Sequence, residues 1–354
     1  MASHHFSRIH RKQVVLACTY LILIRPVTAQ TMRELAHIRA RAQQGYVSDQ
    51  LKLARAFQSG SEVMKDPAES ARWFLKAANQ GNPEAQTDLG YAYSTGAGVP
   101  LDFREAFKWF QRAALANYAP AQNDLGLLLL KGLGSPQDTS AAVSWVSRAA
   151  RQGLVAAELH LGVFYMQGIG TKADVAEALS WIRKAAKQQY APAEFVLAAM
   201  YESGMGLTAD LSEAARWYRK AADRGERLAQ NNLGSMYERG LGVSQNIAEA
   251  ISWYGRAAVG GEPMACRNLA RIYAGAGTIP PDNSLAYFWA LVARGKSYES
   301  ELSPEFLELL RKRLSPQEAL RVEAQAEKWV HEHWSSLDDR VALNTSRNAS
   351  PALP

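Results

Sequence analysis

Seven tryptophans set the frame for this chain. Trp73, Trp109, Trp145, Trp181, Trp217, Trp253 and Trp289 follow one another at intervals of 36 residues without a slip. A rare side chain held in register over that span means that one structural unit is copied, and a fixed period in this range marks a solenoid. Other columns keep the step. Leu-Gly or Leu-Ala pairs fall at 89–90, 125–126, 161–162, 197–198, 233–234 and 269–270. An aromatic recurs at Tyr93, Tyr165, Tyr201, Tyr237 and Tyr273, with Leu129 in the remaining slot, and Ala-Ala pairs begin at 77, 113, 149, 185, 221 and 257.

Each unit reads as two helices. In the stretch 83–117 the first runs from Pro83, a residue suited to a first helical turn, to Ser94, with Ala85, Leu89, Ala92 and Tyr93 as its apolar stripe. Gly96-Ala97-Gly98 stops it: the first glycine fits a left-handed C-cap and the second lets the chain turn back. Asp102 is the expected N-cap of the second helix, whose stripe is Ala106, Trp109, Phe110, Ala113 and Ala114. Small residues at Gly90 and Ala113 are expected to let the two backbones approach. A buried Trp removes roughly 150–250 Å² from water, so the tryptophans are expected as pegs between stacked hairpins.

The pattern A-x3-L-G-x2-Y-x2-G-x-G-V, a spacer, then A-x2-W-x3-A-A-x2-G resembles the Sel1-like repeat, a relative of the tetratricopeptide repeat. Its clearest copies are Ala85–Gly98 with Ala106–Ala114, and Ala229–Gly234 through Gly242-Val243 to Trp253. The resemblance implies an all-α, right-handed α-solenoid of antiparallel helix pairs, with seven units over 47–297. The first unit departs at Ser61-Glu62-Val63, and the seventh at Gly275-Ala276-Gly277 and Pro280-Pro281. Residues 30–46 keep the phase of a preceding second helix, with His37 in the Trp slot, and read as an N-terminal cap. Ser303-Pro304 and Ser315-Pro316 open two capping helices over 298–334; the polar stretch 335–354 reads as a disordered tail.

Residues 1–29 read as a signal peptide. Arg8, His10, Arg11 and Lys12 precede the apolar run Val14–Ile24, and Pro26-Val27-Thr28-Ala29 supplies a small-residue cleavage site. That run would span about 16 Å as a helix, roughly half the hydrocarbon core, which is too short for a membrane crossing. The expected location is periplasmic or secreted, whether the leader is cleaved or kept as an anchor. A lipoprotein reading through Cys18 is weaker, because the apolar residues lie mostly after it. The formal charge of +6 is concentrated here: without this segment 36 basic residues face 34 acidic ones. No basic stripe for a nucleic acid remains. Cys18 and Cys266 are the only cysteines, so disulfides do not staple the fold, and Cys266 reads as buried and inert.

Motifs for chemistry are sparse. The double glycines recur once per unit and lack the third glycine of a dinucleotide fingerprint. Ala290 with Gly295-Lys296-Ser297 matches a relaxed phosphate-loop pattern, but it starts inside the last Trp helix rather than after a strand. His331 and His333 are two apart and point about 200° apart on a helix, so they cannot share a metal. His160 has no second histidine at ligand spacing. Some cysteine-rich relatives of this repeat are β-lactamase-like, but the paired cysteines are missing and no Ser-x-x-Lys occurs. The expected function is therefore a scaffold or adaptor without catalysis or cofactor. A cell-wall-associated hydrolase, or an accessory subunit of one, is the alternative. The sequons at Asn344 and Asn348 fall in the polar tail.

A protein or peptide partner is expected along the exposed side of the first helices. Taking Leu89, Gly90 and Tyr93 as the face turned to the second helix places the opposite face at columns 87, 91 and 94. Stepped by the period, these columns hold an apolar middle of Leu127, Leu130, Leu159, Val163, Met166 and Phe195. A polar end follows with Glu202, Asn231, Glu238, Arg267 and Arg271. This is either a docking groove or the place where neighbouring first helices pack; family resemblance implies roles in envelope signalling or host contact.

Overall fold

The computed structural model of the chain describes residues 29–276, 279–295 and 303–345. The proposed leader up to residue 28, Lys296-Ser297 and the second sequon lie outside the described residues. Helix α1 (Ala29–Gln43) leads into six hairpins. They are α2–α3 (Val47–Ser59, Pro67–Asn79), α4–α5 (Pro83–Thr95, Phe103–Leu115) and α6–α7 (Ala119–Lys131, Thr139–Arg151). Then come α8–α9 (Val155–Gln167, Val175–Lys187), α10–α11 (Ala191–Ser203, Leu211–Asp223) and α12–α13 (Arg227–Arg239, Ile247–Val259). Every helix of these hairpins has 13 residues, a length of roughly 20 Å.

The ends of the helices follow from the residues. Asp102 caps α5 by accepting from the backbone N–H groups of Arg104 and Glu105 at 2.9 and 3.1 Å. Asp66, Asp138, Asp174, Asp210, Asn246 and Asp282 cap in the same way. The capping residue also closes the loop: the Asp102 N–H donates to the Tyr93 carbonyl at 2.9 Å, a bond repeated in every unit. Gly96 ends α4 in the left-handed region at φ 71°. Its companion Gly98 does more than turn the chain. A Cβ there would lie 2.0 Å from the Pro67 carbonyl oxygen of the preceding unit, and one on Gly134 would lie 2.0 Å from that of Phe103. The second glycine is thus where one hairpin sits on its neighbour.

Inside each of the six hairpins the residue after the tryptophan points into the core. Phe74, Phe110, Val146, Ile182, Tyr218 and Tyr254 are fully buried. A Cβ on Gly90 would stand 2.8 Å from the Phe110 ring, and one on Gly126 2.6 Å from Val146. The glycine of the Leu-Gly pair therefore admits a large side chain, not the opposing Ala113. The tryptophans are shallower than expected. Trp73, Trp109 and Trp253 are 5–7% exposed, whereas Trp145, Trp181, Trp217 and Trp289 are half-buried. They do pack between hairpins: Trp253 shares a buried cluster with Tyr218 and Ala222 of the preceding unit. Except at Trp289, their outer faces carry a cation three residues on, as with Lys220 at 3.6 Å from the Trp217 ring centre and Arg112 at 4.5 Å from Trp109.

A further column stitches unit to unit. Gln50, Gln86, Gln122 and Gln230 each donate from Nε2 to the carbonyl eight residues back, on Ala42, Ala78, Ala114 and Ala222, at 3.1, 3.2, 3.2 and 3.0 Å. That carbonyl lies in the last turn of a second helix, where backbone acceptors run out of partners. Ala42 belongs to α1, which thereby stands in for a second helix.

The seventh unit departs as its sequence implies. Helix α14 (Pro263–Arg271) runs into a wide turn, Ile272–Ala276, with Gly275 at φ 105°, before α15 (Asn283–Arg294). Helices α16 (Pro304–Lys312) and α17 (Pro316–Thr345) close the array. Buried, inert Cys266 occupies the glutamine slot, and Trp334 of α17 takes over its bond, donating to the Ala258 carbonyl at 2.9 Å. Helix α17 continues past 334, where the sequence reading starts a disordered tail, because no glycine or proline interrupts 335–345. Among the described residues no helix is long and apolar enough to cross a membrane.

Replacing Gly134 with Ala is expected to cost about 2–4 kcal/mol, from the clash with Phe103 together with the left-handed backbone. Gly153, also left-handed but with open space around it, should cost only about 1–2 kcal/mol when changed to Ala. Guanidinium unfolding of the two variants measures the difference.

Candidate protein-binding site

First helices of neighbouring units bond one another directly. Arg55 pairs with Glu84, the Tyr91 hydroxyl donates to Asp124, and His160 Nδ1 meets Asn123 Oδ1 at 2.7 Å. Asn268 donates to Asn231 at 3.0 Å, and Arg271 pairs with Glu238. The first helices therefore form a stitched wall, and each packs against its own second helix, the second helix of the preceding unit and the first helices beside it. Only a narrow arc is left. In α2 it consists of Ser48, Lys52, Arg55 and Ser59, all exposed; in α4 it is Glu84, Asp88, Tyr91 and Thr95.

The outward columns are thus 84, 88, 91 and 95: of the expected 87, 91 and 94, column 91 lies on the strip and the other two fall one residue short of it. Leu159 and Val163 are 1% and 3% exposed and sit in the core, so they are packing residues and not a docking surface. Leu127, Leu130, Met166 and Phe195 are half-buried against neighbouring clusters, Phe195 tilted on Tyr218 with ring centres 5.8 Å apart. Glu238 is buried, accepting from the Tyr254 hydroxyl at 2.9 Å. Asn231 is engaged with Asn232 and Asn268, and Arg267 is half-buried. Glu202 is exposed and accepts from Tyr218 at 2.7 Å, and Arg271 is exposed on the strip itself. The physical reason is the flanking helices, which cover columns 87 and 94 wholly at Leu159 and Glu238 and in part at most other units, leaving Glu202 exposed.

The corrected strip changes character along the array. It opens with Lys52 and Arg55 and continues with Glu84, Asp88 and Asp124. In the fourth and fifth units it narrows over Ala156, Pro192 and Ala199, where His160, Val163 and Val196 are buried. In the sixth and seventh units Leu228 and Met264, one period apart, stand 41% and 44% exposed beside Asn232 and Asn268. Burial pushes the Asp124 carboxyl up to about 7, against the opposing pull of its bonds from Tyr91 and Asn123. His333 Nδ1 donates to the Trp329 carbonyl of its own helix turn at 2.9 Å, and its ring stacks on the Trp329 ring at 4.3 Å. Among the described residues no three His, Cys, Asp or Glu side chains gather in one place.

A solenoid whose hairpin columns are fixed while one exposed strip varies from unit to unit is a repeat scaffold. The chain belongs to the Sel1 repeat family, whose repeat matches residues 48–82, 83–118, 119–154, 155–190, 191–226, 227–261 and 263–293. Sel1 repeats mediate protein interactions. A Sel1 repeat protein from Oxalobacter formigenes is 33% identical, with 79% of this chain and 81% of that one covered and a TM-score of 0.63. A protective antigen of uropathogenic Escherichia coli strains is 24% identical over 87% of this chain and 81% of its own, with a TM-score of 0.41. An immunity protein from Pseudomonas aeruginosa is 19% identical over 75% and 88%, with a TM-score of 0.34. No curated protein matches the chain significantly.

The folded Asp124 binds its proton more tightly than the unfolded chain does, so stability falls as pH rises from about 4 to about 7. Unfolding free energies from urea titrations at pH 5 and pH 8 should differ by on the order of 2–4 kcal/mol in that direction, and Asp124→Asn should flatten much of the slope.

Proposed function

We propose that this protein is an exported adaptor that holds a segment of another protein along the strip of its first helices. The observation that carries the reading is the contrast between columns. Helix caps, glycines and the residue after each tryptophan are dictated by packing, whereas the position of Leu228 and Met264 holds Ser48, Glu84, Pro120, Ala156 and Pro192 in the other units. Nothing in the hairpin requires large apolar side chains there, and two in succession cost solubility unless a partner covers them. The basic–apolar–small pattern of residues 1–29 supports export to the periplasm or beyond. Roles in envelope signalling or host contact would be set by what the strip holds.

In-cell crosslinking followed by affinity capture tests the strip. The double variant Leu228→Asp, Met264→Asp should lose the captured protein while melting like the parent, whereas Leu159→Ser should lose about 3–4 kcal/mol of stability. Undiminished capture by the double variant contradicts the reading. Export predicts a mature protein in the periplasmic or culture fraction whose N-terminus, by intact mass, follows Ala29; a cytoplasmic protein retaining Met1 refutes it.

A further inference from the structure

The glutamine stitch has two acidic exceptions, and they are not alike. Glu158 is fully buried, with Lys184 Nζ 2.8 Å from one oxygen and Gln188 Nε2 donating at 2.6 Å to the other. This carboxylate has a cation and an amide of its own. Glu194, one unit on, has no such amide, and its cation stands off, with Arg224 Nε 3.8 Å from Oε2. It is 1% exposed, and its Oε2 is buried without a hydrogen-bond partner. The groups facing it from α11 are Lys220, whose ammonium lies over the Trp217 ring, and Arg224, whose Nε is 3.8 Å away. Arg224 also donates from Nη2 to Gln189 Oε1 at 2.8 Å. By the repeat register its acceptor in α9 is Ala186, eight residues back like the carbonyls that accept from Gln50, Gln86, Gln122 and Gln230.

A carboxylate cannot donate to a carbonyl; a carboxylic acid can, with the same reach as a glutamine amide. We propose that Glu194 is a proton-operated clasp between the fourth and fifth units: as the acid it donates the stitch hydrogen bond to the Ala186 carbonyl, and as the carboxylate it leaves that stitch open. Burial raises its proton affinity, against the weaker pull of Arg224 and Lys220. The sign follows: a carboxyl that holds its proton more tightly when folded stabilises the array as pH falls from neutrality toward the ordinary Glu range. Helix α10 carries Pro192 and Ala199 of the inner strip, so the clasp sets how firmly the middle of that strip is seated.

The test compares thermal melts of the full chain and Glu194→Gln between pH 5 and pH 8. The glutamine is a permanent donor, so the variant should melt higher than the parent at pH 8, by roughly 2–4 °C, with the gap closing toward pH 5. Taking the difference removes the contribution of Asp124, which both proteins share. A variant that melts lower at pH 8, or a gap that ignores pH, overturns the clasp. Should the variant fail to fold, a carbon-13 titration of the Glu194 carboxyl in the parent decides. A midpoint above the ordinary glutamate value supports the proposal, and one at or below it overturns it.

Discussion

Everything in this array hangs on a large side chain seated against an absent one. Phe110 lies on Gly90, Val146 on Gly126, Ile182 on Gly162 and Tyr254 on Gly234, each at a distance that a methyl group would close. That contact fixes the separation of the two helices in a hairpin. Fixed hairpins in turn bring the second loop glycine onto the start of the preceding second helix, and the glutamine of the next first helix onto its end. Two backbone contacts per junction, one at each edge, set the stacking angle before the tryptophans fill the space between. A solenoid of this kind has no central core, and its cohesion is the sum of such junctions.

The same junctions define where recognition is possible. A first helix with neighbours on three sides has little surface left, so what remains exposed is a single ridge of side chains per unit. Ridges laid side by side make a strip that packing does not dictate. Its charged start, narrow middle and apolar end are free choices of the sequence, and free choices are where a repeat protein carries information about its partner.

Much of this was legible before any coordinates. The period, the aspartate caps, the glycine stop at Gly96 and the irregular seventh unit follow from local chemistry that each unit states for itself. Column 91 was placed on the strip, but 87 and 94 missed it by one residue because the face was assigned by opposition to the second helix alone; the helices of neighbouring units, which help bury Leu159 and Val163, are not visible in a single unit. The residue after the tryptophan escaped notice because its identity changes from Phe to Val, Ile and Tyr, while the small residue opposite, glycine or alanine in every unit, records its importance. The glutamine stitch did have a signal, the recurrence of Gln50, Gln86, Gln122 and Gln230, but a polar column reads as surface until the carbonyl it serves is seen. Trp334, 76 residues from Ala258, left no local trace at all.

The account stands or falls on which wall of the solenoid meets another protein. Photo-crosslinking from single unnatural side chains, placed at residue 228 on the strip and at exposed Arg216 on the opposite, second-helix wall, distinguishes them in the producing cell. The strip position should yield a discrete crosslinked species and the Arg216 position none. A product from Arg216 with silence at 228 would put the binding surface on the wrong side and contradict the account.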